Sequence, residues 1–228
     1  LHMASGDPSG QISITPGNAL AAVDTFEATI IGEGTHGASP HMGLDPIWIQ
    51  AQVINAIQAI RSRRLNPTDS SVITVGSIHA GVAPNVIPNE VKITGTIRSY
   101  TDEVRSQQHT LLEEAFALAR HYGGDYTLKI SRGYPSMYND PEVADLMRQA
   151  SVDLIGEERT VEGQPGMGAE DFSYMSQKAP GTMIKLGAKY DELNRPHHSP
   201  IFDIDESSFY VGAAVLAESA IRLLKQKA

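Results

Sequence analysis

Between Asp24 and Arg132 the spacing of apolar residues switches twice between the alternation of a strand and the period of about 3.6 residues that marks a helix, in an order few folds accept. Phe26, Ala28 and Ile30 share one face of an extended run that Gly32-Glu33-Gly34 ends. Asp45-Pro46 then opens a helix with two adjacent apolar stripes, Ile47, Ala51, Ile54 and Gln58 on one and Ile49, Val53, Ala56 and Ile60 on the other, so a buried helix is expected. Two β-rich runs follow, residues 71–78 and 90–99, joined by a loop holding Gly81, Pro84, Asn85 and Pro88 and expected to pair as antiparallel neighbours. Thr101-Asp102 caps a second helix, which keeps Val104, Leu111, Leu112, Ala115, Phe116 and Ala119 at helical spacing until Gly123-Gly124 stops it. Tyr126, Leu128 and Ile130 alternate as a last strand. Strand, helix, strand, strand, helix, strand is the order of a ferredoxin-like βαββαβ sandwich.

The flanking residues have another character. A short strand, residues 11–15, precedes the Pro16-Gly17 turn. After Gly133-Tyr134-Pro135 come a helix opened by Asn139-Asp140-Pro141, a Gly-rich stretch at 163–168, a short strand at 182–186 and a terminal helix at 209–224. So little strand is expected to leave this part without a core of its own, as the remainder of a larger α/β domain. The expected organisation is therefore residues 1–16 and 134–228 belonging together, with 17–133 inserted between them. The opening Leu1-His2-Met3 lacks an initiator methionine, which suggests a segment of a longer polypeptide, with a cloning remnant as the plainer explanation.

Charge and composition exclude several classes of partner. A net charge of -9 and a pI near 5.3 make a field that repels nucleic-acid phosphates and anionic membrane surfaces. The longest apolar runs, such as 211–217, fall short of the roughly 20 residues a bilayer helix needs. No nucleic acid and no membrane are expected as partners. With no cysteine there is neither a disulfide nor a thiolate ligand, which fits a cytoplasmic protein.

Chemistry must come from side chains that carry no familiar signature. There is no His-Glu-x-x-His helix, no Gly-x-Ser-x-Gly elbow and no phosphate loop. His109 and His121 fall on the polar face of the second helix, where solvent is their expected environment. Four places stand out. Gly34-Thr35-His36-Gly37-Ala38-Ser39-Pro40-His41 sets two imidazoles among small residues that let backbone approach a ligand, although a plain turn accounts for the same residues. Asn85, between Pro84 and Pro88, has an amide that both donates and accepts, and could equally cap a turn. Arg98 shares the polar face of its strand with Lys92, Thr94 and Thr96, as a carboxylate clamp or as a surface charge. Pro196-His197-His198-Ser199-Pro200 holds adjacent imidazoles, of which one at most faces a given metal.

Taken in order, Gly34 to His41, Asp45-Pro46-Ile47, Asn85-Val86-Ile87-Pro88, Thr96-Ile97-Arg98, Asn139-Asp140-Pro141, Gly168-Ala169-Glu170-Asp171-Phe172 and His197-His198-Ser199-Pro200 resemble the aminoacylase and carboxypeptidase family of two-metal amidohydrolases. The branch with hippurate hydrolases, auxin-conjugate hydrolases and N-acyl-L-amino-acid amidohydrolases is the most similar, and the resemblance covers essentially the whole chain. It implies an α/β (α+β) protein in which a ferredoxin-like lid that dimerises is inserted into a metallo-hydrolase catalytic domain, incomplete here. His2 and His198 match metal ligands, one for each side of a two-metal site. His36 matches a catalytic lid histidine that stabilises the oxyanion in the neighbouring subunit, with Asn85 beside it. Arg98 matches the group that binds the substrate carboxylate, and Gly168 and Glu170 lie in a matching pocket loop. The cofactors implied are two divalent metal ions, zinc first, with manganese or cobalt as alternatives.

The bridging ligand, a further histidine and the paired glutamates of the family have no counterpart in these residues. The resemblance thus implies hydrolysis of N-acyl amino acids or short peptides with a free carboxylate by the intact protein, as a homodimer through the lid in the family's manner, and no turnover by these residues alone. A non-catalytic dimerisation or small-molecule binding module, from a split or degraded gene, is the alternative.

Overall fold

A computed structural model of the chain describes residues 1–226. In chain order, β1 (His2–Ala4), β2 (Ile12–Ile14), β3 (Gly17–Leu20), β4 (Ala22–Ile31) and β5 (Thr35–His36) lead to α1 (Pro46–Ala59). Next are β6 (Ser71–Ala80), β7 (Val86–Ile87), β8 (Glu90–Ser99), α2 (Asp102–His121), β9 (Asp125–Arg132) and β10 (Met137–Asn139). α3 (Pro141–Ile155), β11 (Thr160–Glu162), the short α4 (Phe172–Ser176), β12 (Lys185–Gly187) and α5 (Phe209–Gln226) complete the order. The chain divides into two compact units, one of Leu20–Ser136 with Met167–Glu170, the other of Leu1–Ala19 with Met137–Gly166 and the residues from Asp171 onward.

In the first unit, β6, β8, β4 and β9 lie in that order, each antiparallel to its neighbour. With α1 and α2 in their chain positions this is the ferredoxin-like arrangement expected from the periodicity. Both helices bury their apolar stripes against one sheet face, where Phe26, Ile30, Val91, Ile93 and Ile97 join Ile49, Val53, Ile57, Leu112 and Phe116 in a single core. Phe26 pairs across the strands with Gly95, and a Cβ at 95 would overlap the Phe26 ring, so glycine here makes room for the ring to meet Phe116 edge-on at 6.2 Å. Helix starts are fixed chemically. Asp45 accepts from the Ile47 and Trp48 amides at 2.8 and 3.3 Å, and Thr101 accepts from Val104 at 3.3 Å.

Two expectations about this unit need correction. Only one stripe of α1 is buried, Ile49, Val53, Ile57 and Ile60, whereas Ile47, Ala51 and Gln58 are exposed, because one helix face alone can meet a sheet. His109 is not left to solvent: its Nε2 lies 2.6 Å from Asp24 Oδ2. Asp24, on β4 and 1% exposed, also accepts from Arg105 Nε at 2.9 Å, from Arg105 Nη2, and from the Gly133 amide at 3.0 Å. Burial alone would raise the Asp24 pKa, but hydrogen bonds from Arg105, His109 and Gly133, with the guanidinium charge, outweigh it and hold the carboxyl below its ordinary range.

The second unit has its own sheet, ordered β1, β12, β2, β11, with β1 and β12 parallel, β12 and β2 antiparallel, and β2 and β11 parallel. Its core joins Ile12, Ile14, Ile184 and Leu186 to Ala144 and Met147 of α3 and to Val211 and Val215 of α5. The expected lack of a core is therefore corrected. β1 and β11, three residues each, are too short to show an alternation. Asn139, fully buried, splices this unit: its Nδ2 donates to the Thr15 carbonyl at 2.8 Å and the Met183 carbonyl at 3.2 Å, and its Oδ1 accepts from Met183 N at 3.0 Å. Among the described residues one helical stretch, 206–225, is long and apolar enough to cross a membrane by length and composition, with mean hydropathy 1.2. Its Val211 and Val215 are core residues, and Arg222 pairs with Glu218 and Asp153 at 2.8 Å each.

Candidate functional site

His36 sits on the two-residue strand β5, paired antiparallel with β7 so that it faces Val86. Its backbone is held on every side. Gly32 N donates to Asn89 O, Gly34 N to Asn89 Oδ1 and Gly37 N to Asn85 O, each at 2.8 Å, and Glu33 and Leu44 exchange two bonds of 2.8 Å. A Cβ on Gly34 would come within 2.8 Å of Asn89 Oδ1 and of the Ile87 carbonyl, so the glycines permit this close knitting. His36 and Asn85 are thus brought together at one tip, both exposed. His36 Nδ1 accepts from the Ala38 amide at 3.1 Å, which leaves the proton of the neutral ring on Nε2. A histidine held in that tautomer presents an N–H donor outward.

Arg98 lies near the other end of β8, opposite Val23 of β4 and Val72 of β6. It is half-buried, and its Nη1 donates to the Met167 carbonyl at 2.8 Å. The carbonyl of the next residue, Gly168, accepts from the Ala21 amide at 2.8 Å, so residues 167–168 are tied to the sheet beside Arg98. Glu170, two residues on, is half-buried. Among the described residues Arg98 makes no ion pair, and most of its five donors remain for an anion.

In the second unit the ring centroids of His2 and His197 are 5.4 Å apart, edge to face, with Phe202 5.1 Å beyond His197. His2 Nδ1 donates to the Met3 carbonyl at 2.6 Å, which leaves the lone pair on Nε2, and His197 also hydrogen-bonds the Met3 backbone. Burial first, then the charge of His2, lowers the His197 pKa, with His198 adding to the effect and the Met3 bond opposing it. The imidazole edge-on to His2 is that of His197. His198 follows in a left-handed conformation, φ 63°. Imidazoles braced on a carbonyl are suited to a divalent metal. They are too few: among the described residues no three histidine, cysteine or carboxylate side chains converge to hold a metal, where a catalytic zinc takes three protein ligands and a water.

Spacing could not have found the Met167 carbonyl or Asn89, since both act through contacts with residues far away in the chain. The one available signal for Asn89 was its place after Pro88, at the entry to β8.

Comparison with known proteins identifies the family. The model of peptidase family M20/M25/M40 matches residues 1–222. The chain is 35% identical to thermostable carboxypeptidase 1 of Saccharolobus solfataricus over 97% of its own residues and 57% of that protein. It is 36% identical to the N-acetyl-L-cysteine deacetylase of Bacillus subtilis over 98% of its own residues and 53% of that protein. It superposes on the Bacillus subtilis YXEP protein, a dinuclear metal binding peptidase, with a TM-score of 0.78 and 28% identity, covering 98% of this chain and 56% of the other. The chain thus spans little more than half the length of the relatives it matches. With the family model covering nearly every residue, the chain belongs to peptidase family M20/M25/M40.

Proposed function

We propose that the protein this chain represents hydrolyses the amide bond of N-acyl amino acids or short peptides with a free carboxylate, with Arg98 holding that carboxylate. One observation carries the reading: Arg98 is half-buried, oriented by the Met167 carbonyl at 2.8 Å, and has no carboxylate partner among the described residues. A guanidinium so placed is most easily explained by an anion that arrives with a ligand. His36, with its proton on Nε2, stabilises the developing oxyanion, with Asn85 beside it.

His2, with His198 or the adjacent His197, contributes ligands to paired divalent metals, zinc first and manganese or cobalt next. When bound, such metals supply Lewis acidity and an activated water. The other ligands and the general base come from the part of the relatives' length that this chain does not span. The exposed Phe209, Tyr210, Leu216, Ile221 and Leu224 of α5 support a covering segment over this unit. The protein is cytoplasmic and homodimeric through the Leu20–Ser136 unit, the lid, and has no nucleic-acid or membrane partner.

The test compares Arg98→Ala with wild type in a form spanning the relatives' full length. KM for N-acyl amino acids should rise about 10- to 100-fold, and much less for their carboxyamide analogues. An equal rise for both would remove Arg98 from the carboxylate. This chain alone should turn over neither substrate with zinc, manganese or cobalt added.

A further inference from the structure

We infer that Asn89 is the positioning residue that sets the His36 imidazole, an inference that rests on the oxyanion role proposed for His36. Asn89 grips the strap before His36 twice, through its backbone carbonyl to Gly32 N and through its side-chain Oδ1 to Gly34 N, both at 2.8 Å. Only the second bond depends on the identity of the side chain. It reaches the strap two residues before His36, while the Gly37 bond to Asn85 O holds it one residue after. The ring's bond to the Ala38 amide needs residues 36–38 to keep their turn, so the tautomer of His36 depends on a strap fixed at both ends.

The geometry around Gly34 leaves no slack. A side chain there would meet Asn89 Oδ1 and the Ile87 carbonyl at 2.8 Å each, so the Gly34 amide lies against its acceptor by close packing as well as by the hydrogen bond. Asn89 itself is exposed, at the entry to β8. Its substitution therefore leaves the folded unit intact and acts on the strap alone.

The experiment uses this chain as wild type, Asn89→Ala and Asn89→Asp, and reads Gly34 amide exchange and the long-range 1H–15N spectrum of the His36 ring. In N89A the Gly34 exchange rate should rise about tenfold or more, and Nδ1 should leave its purely accepting state. N89D should behave as wild type, because a carboxylate oxygen accepts as the amide oxygen does. Wild-type exchange and ring signals in N89A, or an N89D that behaves as N89A, would overturn the inference. In the full-length form N89A should lower kcat roughly tenfold with KM within about twofold, and N89D should restore it. A ring displaced in N89A with kcat unchanged would leave the placement of His36 by Asn89 standing and overturn the oxyanion role of His36 instead.

Discussion

His36 and Arg98 stand at opposite ends of one sheet. Arg98 is next to the last residue of β8, whereas the His36 strap joins the sheet where β8 begins, Gly32 N bonding Asn89 O beside Glu90. At roughly 3.4 Å per residue the length of β8 separates them by on the order of 25 Å. That is well beyond a single N-acyl amino acid, so the two cannot serve one substrate from the same copy of this unit.

Complementation between two impaired variants follows from that separation. In the dimer proposed for the full-length form, assayed well below KM, His36→Ala and Arg98→Ala should each lose most of their activity, and a mixture reassembled at equal amounts should recover about a quarter of wild-type activity, since half the dimers are hybrids with one intact site each. Kinetics on the mixture decide it. No recovery from a mixture whose hybrids are verified by mass spectrometry would mean that His36 and Arg98 do not meet across subunits.

The Asp24 cluster makes a prediction about acid stability. Its carboxyl is held below the ordinary 3.8 by Arg105, His109 and Gly133 despite burial. A depressed carboxylate contributes stability that is present above its unfolded pKa and lost as pH falls through the folded one. Unit stability should therefore be steady above about pH 5 and drop as pH goes below 3.8. Asp24→Ala, which leaves Arg105 buried without its partner, should cost about 3–5 kcal/mol at pH 7 and flatten the acid limb of the profile. Denaturant unfolding followed across pH checks both.

How much of this was readable in advance depended on the range of the interaction. The βαββαβ order was legible because each of its elements is long enough to repeat a period, as Phe26, Ala28 and Ile30 do on β4. β1 and β11 were not, since three residues take their strand geometry from neighbours and not from their own pattern. His109 looked solvated because a helix pattern shows which residues are polar but not that a carboxylate on β4 lies beneath them. The edge-on contact of His197 with His2 joins residues far apart in the chain, and no local pattern holds a record of it.

Gly95 offers a test of core geometry. Alanine there would set its Cβ into the Phe26 ring and the Thr74 carbonyl, and the ring is itself locked against Phe116. Neither backbone nor ring can give way cheaply. Gly95→Ala should destabilise the first unit by about 1–3 kcal/mol or more, although strand propensity alone would favour it. Pairing it with Phe26→Leu, which frees the space, should recover part of that loss in a double-mutant cycle; strictly additive losses would show that the ring is not the obstacle.

Asn139 closes the second unit in a way that neither a smaller nor a charged residue can copy. Its amide donates twice, to Thr15 O and Met183 O, and accepts once from Met183 N, all within a site that solvent does not reach. Asn139→Ala strands two carbonyls and an amide and should cost about 2–4 kcal/mol. Asn139→Asp keeps the shape but turns carboxylate oxygens towards the two carbonyls, so the acid must take up a proton to bond one of them and the other stays unmet. Its loss should therefore be larger at pH 7 than at pH 4, the reverse of the trend for Asp24, because here it is the charged form that the fold rejects. Thermal unfolding of the two variants at both pH values distinguishes them: equal losses for Asn139→Asp at pH 4 and pH 7 would mean that water reaches the site.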